Sequence, residues 1–445
     1  MNRKSPLKSI LKTSLPAVID LSSQTIMWTI ETILIGQISA AAFAGVGMAI
    51  QILVVCMTIL LTFIVGASLI LTRHLGAGDR WQANHVLGQT VMMGVILSFV
   101  LGLTWYFGAP WLLALIREAS GEARNAGVTY LRTVAYFAPI IITNFVAVGV
   151  IRGSGDTIHS MIINLTINSI NVILAPTLIF GLFGAPRLEV FGAAIAVGIS
   201  HSVGFCITTY LLRSRKMTLF LSLRETTTPN WQTFKKLFKA GLPTTVEQLA
   251  WSVGLLVVSM YAAILGVTTL AAHQVFLRIQ AILSMFYFGF GMAAMTLMGK
   301  NLGAEEKKLA QKTAEMTGWV VYVFVMIVVA VTIFFSKNMI TVFTDDPQVV
   351  KIGSTVVLAF ALVQIPKAVN GVVIGNLRGA GDLKWLMWTT MAGVMFFEIG
   401  STWASVFIFN LSLWGLWTVH MIDETTRLIF NYWRFRGGKW KFIDL

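Results

Sequence analysis

Arg152-Gly-Ser-Gly-Asp156 and Arg378-Gly-Ala-Gly-Asp382 are one turn written twice, 226 positions apart in a chain of 445 residues. The offset holds elsewhere. Ser14-Leu-Pro16 pairs with Gly241-Leu-Pro243 at 227, Asn144 with Asn370 at 226, and Arg73-His-Leu-Gly-Ala77 with Lys300-Asn-Leu-Gly-Ala304 at 227. Solenoid units repeat every 20 to 50 residues or so, so a period this long marks a duplicated half-protein.

Composition names the medium in which the halves fold. With 56% hydrophobic and 12% charged residues and a mean hydropathy of +0.78, the chain has too little polar surface to cover a soluble globule. Twelve apolar runs, each about 20 residues and so long enough to cross a bilayer, can be read between residues 15 and 433. The expectation is an all-α integral membrane protein with twelve transmembrane helices in two pseudo-symmetric six-helix bundles. Residues 1–212 and 241–445 form the bundles, and a basic cytoplasmic linker at 213–240 joins them. A lipid-surrounded monomer is expected.

The net charge of +14 raises the question of nucleic acid, and the placement of the charges answers it. Of the 33 basic residues, 24 fall in segments on the side of the N-terminus, while Arg117, Arg124, Arg187, Lys337 and Lys351 fall on the other. The positive-inside rule therefore puts a multi-pass chain in the cell membrane with both termini cytoplasmic, and the basic charge needs no nucleic-acid partner. The first span carries Asp20 and Glu31 and has no small-residue cleavage pattern, so it reads as a retained helix rather than a signal peptide. Cys56 and Cys206 sit inside apolar runs and read as buried structural cysteines. No metal-ligand spacing, nucleophile constellation or phosphate loop is present, so no metal, cofactor or enzymatic activity is expected.

Several segments together resemble the multidrug and toxic compound extrusion (MATE) family: the openings Leu15-Pro-Ala-Val-Ile-Asp20 and Gly241-Leu-Pro-Thr-Thr-Val-Glu-Gln248, Ala271-Ala-His-Gln274, Gly289-Phe-Gly291, Phe191-Gly-Ala-Ala194, the Lys300–Ala304 turn, the two Arg-Gly turns, and Arg434-Phe-Arg-Gly-Gly-Lys-Trp440. The resemblance runs nearly end to end. It implies two bundles around a central cavity, alternating access, and export of small cationic or amphipathic compounds in exchange for H⁺ or Na⁺. A lipid-linked precursor flippase of the same superfamily shares the repeat but usually has further C-terminal spans and a more cationic cavity; a polytopic membrane enzyme is the other rival.

A charged side chain at mid-membrane costs about 2.5 to 3.5 kcal/mol on insertion scales, so a buried acid needs a partner, a proton or a role. The resemblance sets Glu31, 15 residues after Pro16, at the place of the family's first-helix Asp, its protonation or cation site. On a helix Asp20, Gln24, Met27 and Glu31 form one stripe. Glu31 is expected to line a wet cavity, and Asp20 is either a solvated entrance charge or a coupling site. Against the family pattern, Ala175 stands where a second acid would follow Asn171, Trp251 replaces a seventh-helix Glu while Glu247 sits one turn earlier, and Lys367 replaces a tenth-helix Asp. The missing acid favours protons over sodium.

Lys367 lies about 16 Å above its turn by helical rise and Glu398 about 21 Å above the next one, so the two are expected to pair, either structurally or as a pair broken during transport. The candidate coupling residues are thus Glu31, Asp20, Glu247, Lys367 and Glu398. Candidate substrate-lining residues are Gln24, Met27 and Trp28, Asn168 and Asn171, Trp251, and Asn370. Pro16, Pro243, Pro139 and Pro366 occupy paired places as hinges or static kinks. His201, His273 and His420 read as packed histidines, and Asp423 with Arg427 as a local ion pair near the cytoplasm.

Overall fold

The repeated turns are helix ends built on one hydrogen-bond pattern. Gly155 N–H donates to Arg152 O at 3.0 Å and Asp156 N–H to Ile151 O at 3.3 Å; Gly381 and Asp382 repeat this on Arg378 and Leu377 at 3.0 and 2.9 Å. This is the Schellman closure, which needs a left-handed residue. Gly155 and Gly381 supply it at φ 88° and 90°. The other repeated pair closes in the same way, with Gly78 at φ 78° in one half and Glu305 at φ 60° in the other.

A computed structural model describes residues 6–114, 121–214, 217–344 and 346–443. Arg3, Lys4, Arg117, Arg215 and Lys216, used above to orient the chain, lie outside the described residues, as does the side chain of Lys337. The described chain is helical. The first half holds α1 (Pro6–Gly36), α2 (Ala40–Gly76), α3 (Arg80–Ala114), α4 (Gly121–Gly153), α5 (Thr157–Phe180) and α6 (Glu189–Arg213). The second holds α7 (Trp231–Ile264), α8 (Val267–Gly303), α9 (Lys307–Phe334), α10 (Pro347–Gly379), α11 and α12 (Leu413–Arg436). α11 is assembled from Leu383–Gly393, the π-helical Val394–Ser401 and Thr402–Phe407.

Among the described residues nine of these helices are long and apolar enough to cross a membrane: α2 to α10. The three that fall short are informative. α1 carries Asp20 and Glu31, α11 is interrupted by the π segment holding Glu398, and α12 contains His420, Asp423, Glu424 and Arg427. Charged and polar groups lower the hydropathy of α1 and α12, and the π segment breaks α11 into short stretches. The twelve long helical stretches agree with the expected six per half.

Contacts divide the chain into two compact units, Ile19–Gly241 and Met1–Val18 with Leu242–Leu445. In the first, apolar residues of α2, α3, α4, α5 and α6 form the core, with Trp105, Leu131 and Ile142 fully buried. Asn144 of α4 accepts from Thr208 of α6 at 2.7 Å. The segment between α6 and α7 is pinned rather than loose: Gln89 Nε2 of α3 donates to Glu225 O and Thr228 O, each at 2.8 Å. α7 then begins at Trp231, ten residues before the expected span, because Asn230 Oδ1 caps Thr233 N–H at 3.1 Å.

In the second unit Phe276, Phe360 and Trp417 interlock with ring centroids 4.8 to 5.7 Å apart. Such pairs add about 0.5 to 1.5 kcal/mol each. The repeat partner of Asn144, Asn370 of α10, is tied to the last helix of its half too, accepting from Asn431 Nδ2 at 2.9 Å. Gly375 lets α10 approach α8 closely: a Cβ there would lie 2.2 Å from Gly291 O. Lipid tails give helices no hydrophobic drive to associate, so close backbone packing of this kind carries the stability.

One expectation is corrected. Cys206 is exposed and Cys56 is half-buried, with Trp105 Nε1 at 3.4 Å from its sulfur. An apolar run shows that a residue avoids water; it does not say whether lipid or protein replaces it.

Candidate functional site

In the Ile19–Gly241 unit the α1 stripe meets α4 and α5. Asp20 is fully buried, accepting from Asn164 Nδ2 at 2.7 Å and from Arg152 Nη1 at 3.4 Å. It is not a solvated entrance charge, because the Arg-Gly turn ending α4 brings a guanidinium to it. One turn on, Asn168 Nδ2 donates to Ser23 Oγ at 2.9 Å. Glu31 is 5% exposed rather than open to a wet cavity, and the Tyr130 hydroxyl donates to Oε1 at 3.0 Å. Glu31 forms no ion pair among the described residues. A carboxylate so placed needs a proton or a positive ion. Of the remaining candidates, Met27 is buried, Gln24 half-buried and Trp28 exposed, while Asn171 is buried with no partner for its Nδ2.

The other unit answers with the same device. Glu247 of α7 accepts from Arg378 Nη2 at 2.9 Å. Glu247 follows Pro243 by four residues as Asp20 follows Pro16, and each arginine opens its repeated turn. Both arginine partnerships were legible in the offset, had it been applied to the carboxylates as well as to the turns.

Deeper in that unit the charges form a network. Lys367 Nζ of α10 lies 3.4 Å from Glu424 Oε1 and 3.2 Å from His420 Nε2, with the Trp251 ring centroid at 5.7 Å. Glu398 does not pair with Lys367. Its Oε1 sits 2.5 Å from His420 Nδ1. Counting helical rise from two turns placed Lys367 and Glu398 at compatible depths but could not see α12 entering between them, nor the π segment that carries Glu398. Arg427 spans two acids, Nη2 to Asp423 Oδ2 at 2.6 Å and to Glu424 Oε1 at 3.1 Å, so the expected Asp423–Arg427 pair is present but buried. Asn370 Nδ2 donates to Glu424 Oε2 at 3.3 Å. Glu424 was missed; its signal was a second acid adjacent to Asp423 and three residues before Arg427.

His273 is buried against the Trp417 ring, and neither of its ring nitrogens has a hydrogen-bond partner among the described residues. A cavity of about 170 Å³ opens beside the network. Glu247, Trp251, Lys367 and Asn370 from the candidate set line it, with Tyr287, Phe288, Met292 and Met295 supplying aromatic and thioether surface. The few polar groups among apolar walls are what a small-molecule site needs for orientation.

The MatE family model matches residues 16–177 and 243–403, one match on each half of the repeat. The chain belongs to the MatE family. It is 28% identical over 439 residues to a probable multidrug resistance protein NorM of Thermotoga maritima, covering 98% of this chain and 93% of that protein. It is 26% identical to the uncharacterized transporter YisQ of Bacillus subtilis, covering 97% and 94%. A solved structure described as the outward-facing conformation of a multidrug resistance MATE family transporter superposes with a TM-score of 0.89 at 22% identity, covering 99% and 98% of the two chains. The MATE chain is therefore a multi-pass membrane transporter of a multidrug efflux family acting on small molecules, as the resemblance implied.

Proposed function

We propose that this MATE protein is a secondary-active antiporter that exports cationic or amphipathic compounds in exchange for protons by alternating access. The observation that carries the reading is Glu31, a buried carboxyl whose one described partner is the neutral Tyr130 hydroxyl. Asp20, Glu247, Glu398 and Glu424 each have a basic group beside them. Glu31 is the acid left to take an external cation. A proton suits it better than sodium: Ala175 stands where, by the family pattern, a second carboxylate would complete a cation site, and the amide of Asn171 carries no charge. Pro16, Pro139, Pro243 and Pro366 lie inside α1, α4, α7 and α10, where each leaves a backbone carbonyl free and permits a bend. The protein acts as a monomer in the cell membrane with both termini in the cytoplasm.

Drug accumulation in expressing cells, with and without an uncoupler, tests the class. Glu31→Gln tests the site, since it keeps shape and hydrogen bonding and removes titration. The variant should reach the membrane folded and lose export driven by a pH gradient. Normal export by Glu31→Gln would show that coupling resides elsewhere.

A further inference from the structure

His420 of α12 is held by two groups that dictate where its proton must be. Nδ1 faces the Glu398 carboxylate at 2.5 Å, an acceptor, and therefore bears the hydrogen. Nε2 faces the Lys367 ammonium at 3.2 Å, a donor with no lone pair, and therefore presents its own lone pair. The geometry defines a neutral imidazole with one unprotonated nitrogen, which accepts from a lysine that has a second partner 3.4 Å away in Glu424.

We propose that His420 Nε2 is a proton-binding site of the second unit, and that its occupancy displaces Lys367 in the wall of the cavity. A proton delivered by hydronium forms an N–H bond with the Nε2 lone pair as the hydronium O–H bond breaks and water leaves, and the hydrogen bond from Lys367 is lost. Nε2–H and the ammonium are then two positive donors face to face, an arrangement that removes the hydrogen bond and adds like-charge repulsion. Lys367 must turn away, toward Glu424 Oε1 and the Trp251 ring at the cavity.

Charge balance points the same way. The cationic side chains Lys367 and Arg427 stand among three carboxylates, Glu398, Asp423 and Glu424, so a proton on the imidazole makes the network neutral. Buried networks are costly when a charge is left over. The titratable groups facing His420 are Glu398 from the π segment of α11, Lys367 from α10, His273 from α8, and Asp423 and Glu424 from its own helix. The rest of α11 adds only Lys384 in its first turn, and beyond α12 Lys441 is engaged with Gln311 at 2.8 Å. Lys367 thus converts a proton at a site behind the wall into a charge that moves at the substrate surface.

The inference rests on the transport reading for its use in the cycle, but its test reads protonation without transport. The purified full-length protein, labelled with ¹⁵N at histidine and lysine side chains, is followed by NMR through about pH 8 to 5. His420 is picked out from the six histidines by His420→Gln, and Lys367 by Lys367→Arg. Near the upper pH His420 should carry one proton, on Nδ1, and acidification should add a second on Nε2. The Lys367 Nζ resonance should shift with the same midpoint. Lys367→Met should erase the hydrogen-bonded signature of Nε2. A proton on Nε2 at the upper pH, no second proton by the lower one, or a lysine resonance that ignores the histidine each overturns the proposal. Glu31→Gln leaves this titration intact, so loss of coupled export there is separable from failure here.

Discussion

The network around Lys367 makes a quantitative prediction that separates the observed pairing from the one that depth alone suggests. Glu424 holds three donors: Arg427 at 3.1 Å, Lys367 at 3.4 Å and Asn370 at 3.3 Å. Lys367→Met removes one and leaves two, so the loss should be that of a single charged hydrogen bond, about 2 kcal/mol. Glu424→Gln is worse. Arg427 keeps Asp423 at 2.6 Å, but Lys367 keeps only a neutral imidazole at 3.2 Å, and stranding a buried cation costs about 3 to 5 kcal/mol. In the double variant the stranded ammonium is gone, so part of that loss returns as a coupling energy of about 1 to 3 kcal/mol. Unfolding free energies are to be measured by denaturing-detergent titration of purified protein in mild micelles. The Lys367–Glu398 cycle should show weaker coupling, because His420 intervenes. Additivity within about 0.5 kcal/mol in the Lys367–Glu424 cycle, or stronger coupling in the Glu398 cycle, would refute the arrangement.

The same titration distinguishes the two repeated arginine pairs. Arg378→Met should cost about 2 kcal/mol and Arg152→Met about 1 kcal/mol, because the Glu247 contact is shorter, 2.9 against 3.4 Å, and Asp20 retains Asn164; equal losses would mean the asymmetry has no energetic content. Gly375→Leu should destabilise by about 1 to 3 kcal/mol or more, since even its Cβ would lie 2.2 Å from Gly291 O, and a folded variant of unchanged stability would show that α8 and α10 are not packed as described. In a background lacking Cys56 and Cys206, a cysteine at the exposed Thr227 should label only from the cytoplasm and one at the exposed Gln348 only from outside. Reversed labelling overturns the charge-based orientation.

What the sequence disclosed and what it withheld divide along a physical line. Turns and spans are local: a left-handed glycine closing a helix, or a run of apolar residues, is fixed by neighbours in the chain, which is why the Arg152 and Arg378 turns carried the duplication and the helix count. The partners of buried charges are not local. Asp20 is separated from Asn164 by 144 positions, Glu31 from Tyr130 by 99, and Lys367 from His420 by 53, and no periodicity within one helix can report which face of another it will meet. One non-local relation does survive in a single sequence, namely the internal repeat. Applied to Asp20 and Glu247 it would have paired each with its arginine, because two copies of one module solve one burial problem in one way. It has no purchase on Lys367, His420 and Glu424, whose counterparts in the first half are not charged: offset 226 or 227 leads from Lys367 to Ile141 or Ile140, and from Glu424 to Gly198 or Val197. The second unit holds a charge network where the first has an isolated acid, so the symmetry of the repeat fails at these buried charges. A proton delivered to Glu31 meets one hydroxyl, whereas a proton delivered to the second unit enters a set of six interlocked groups and must move one of them.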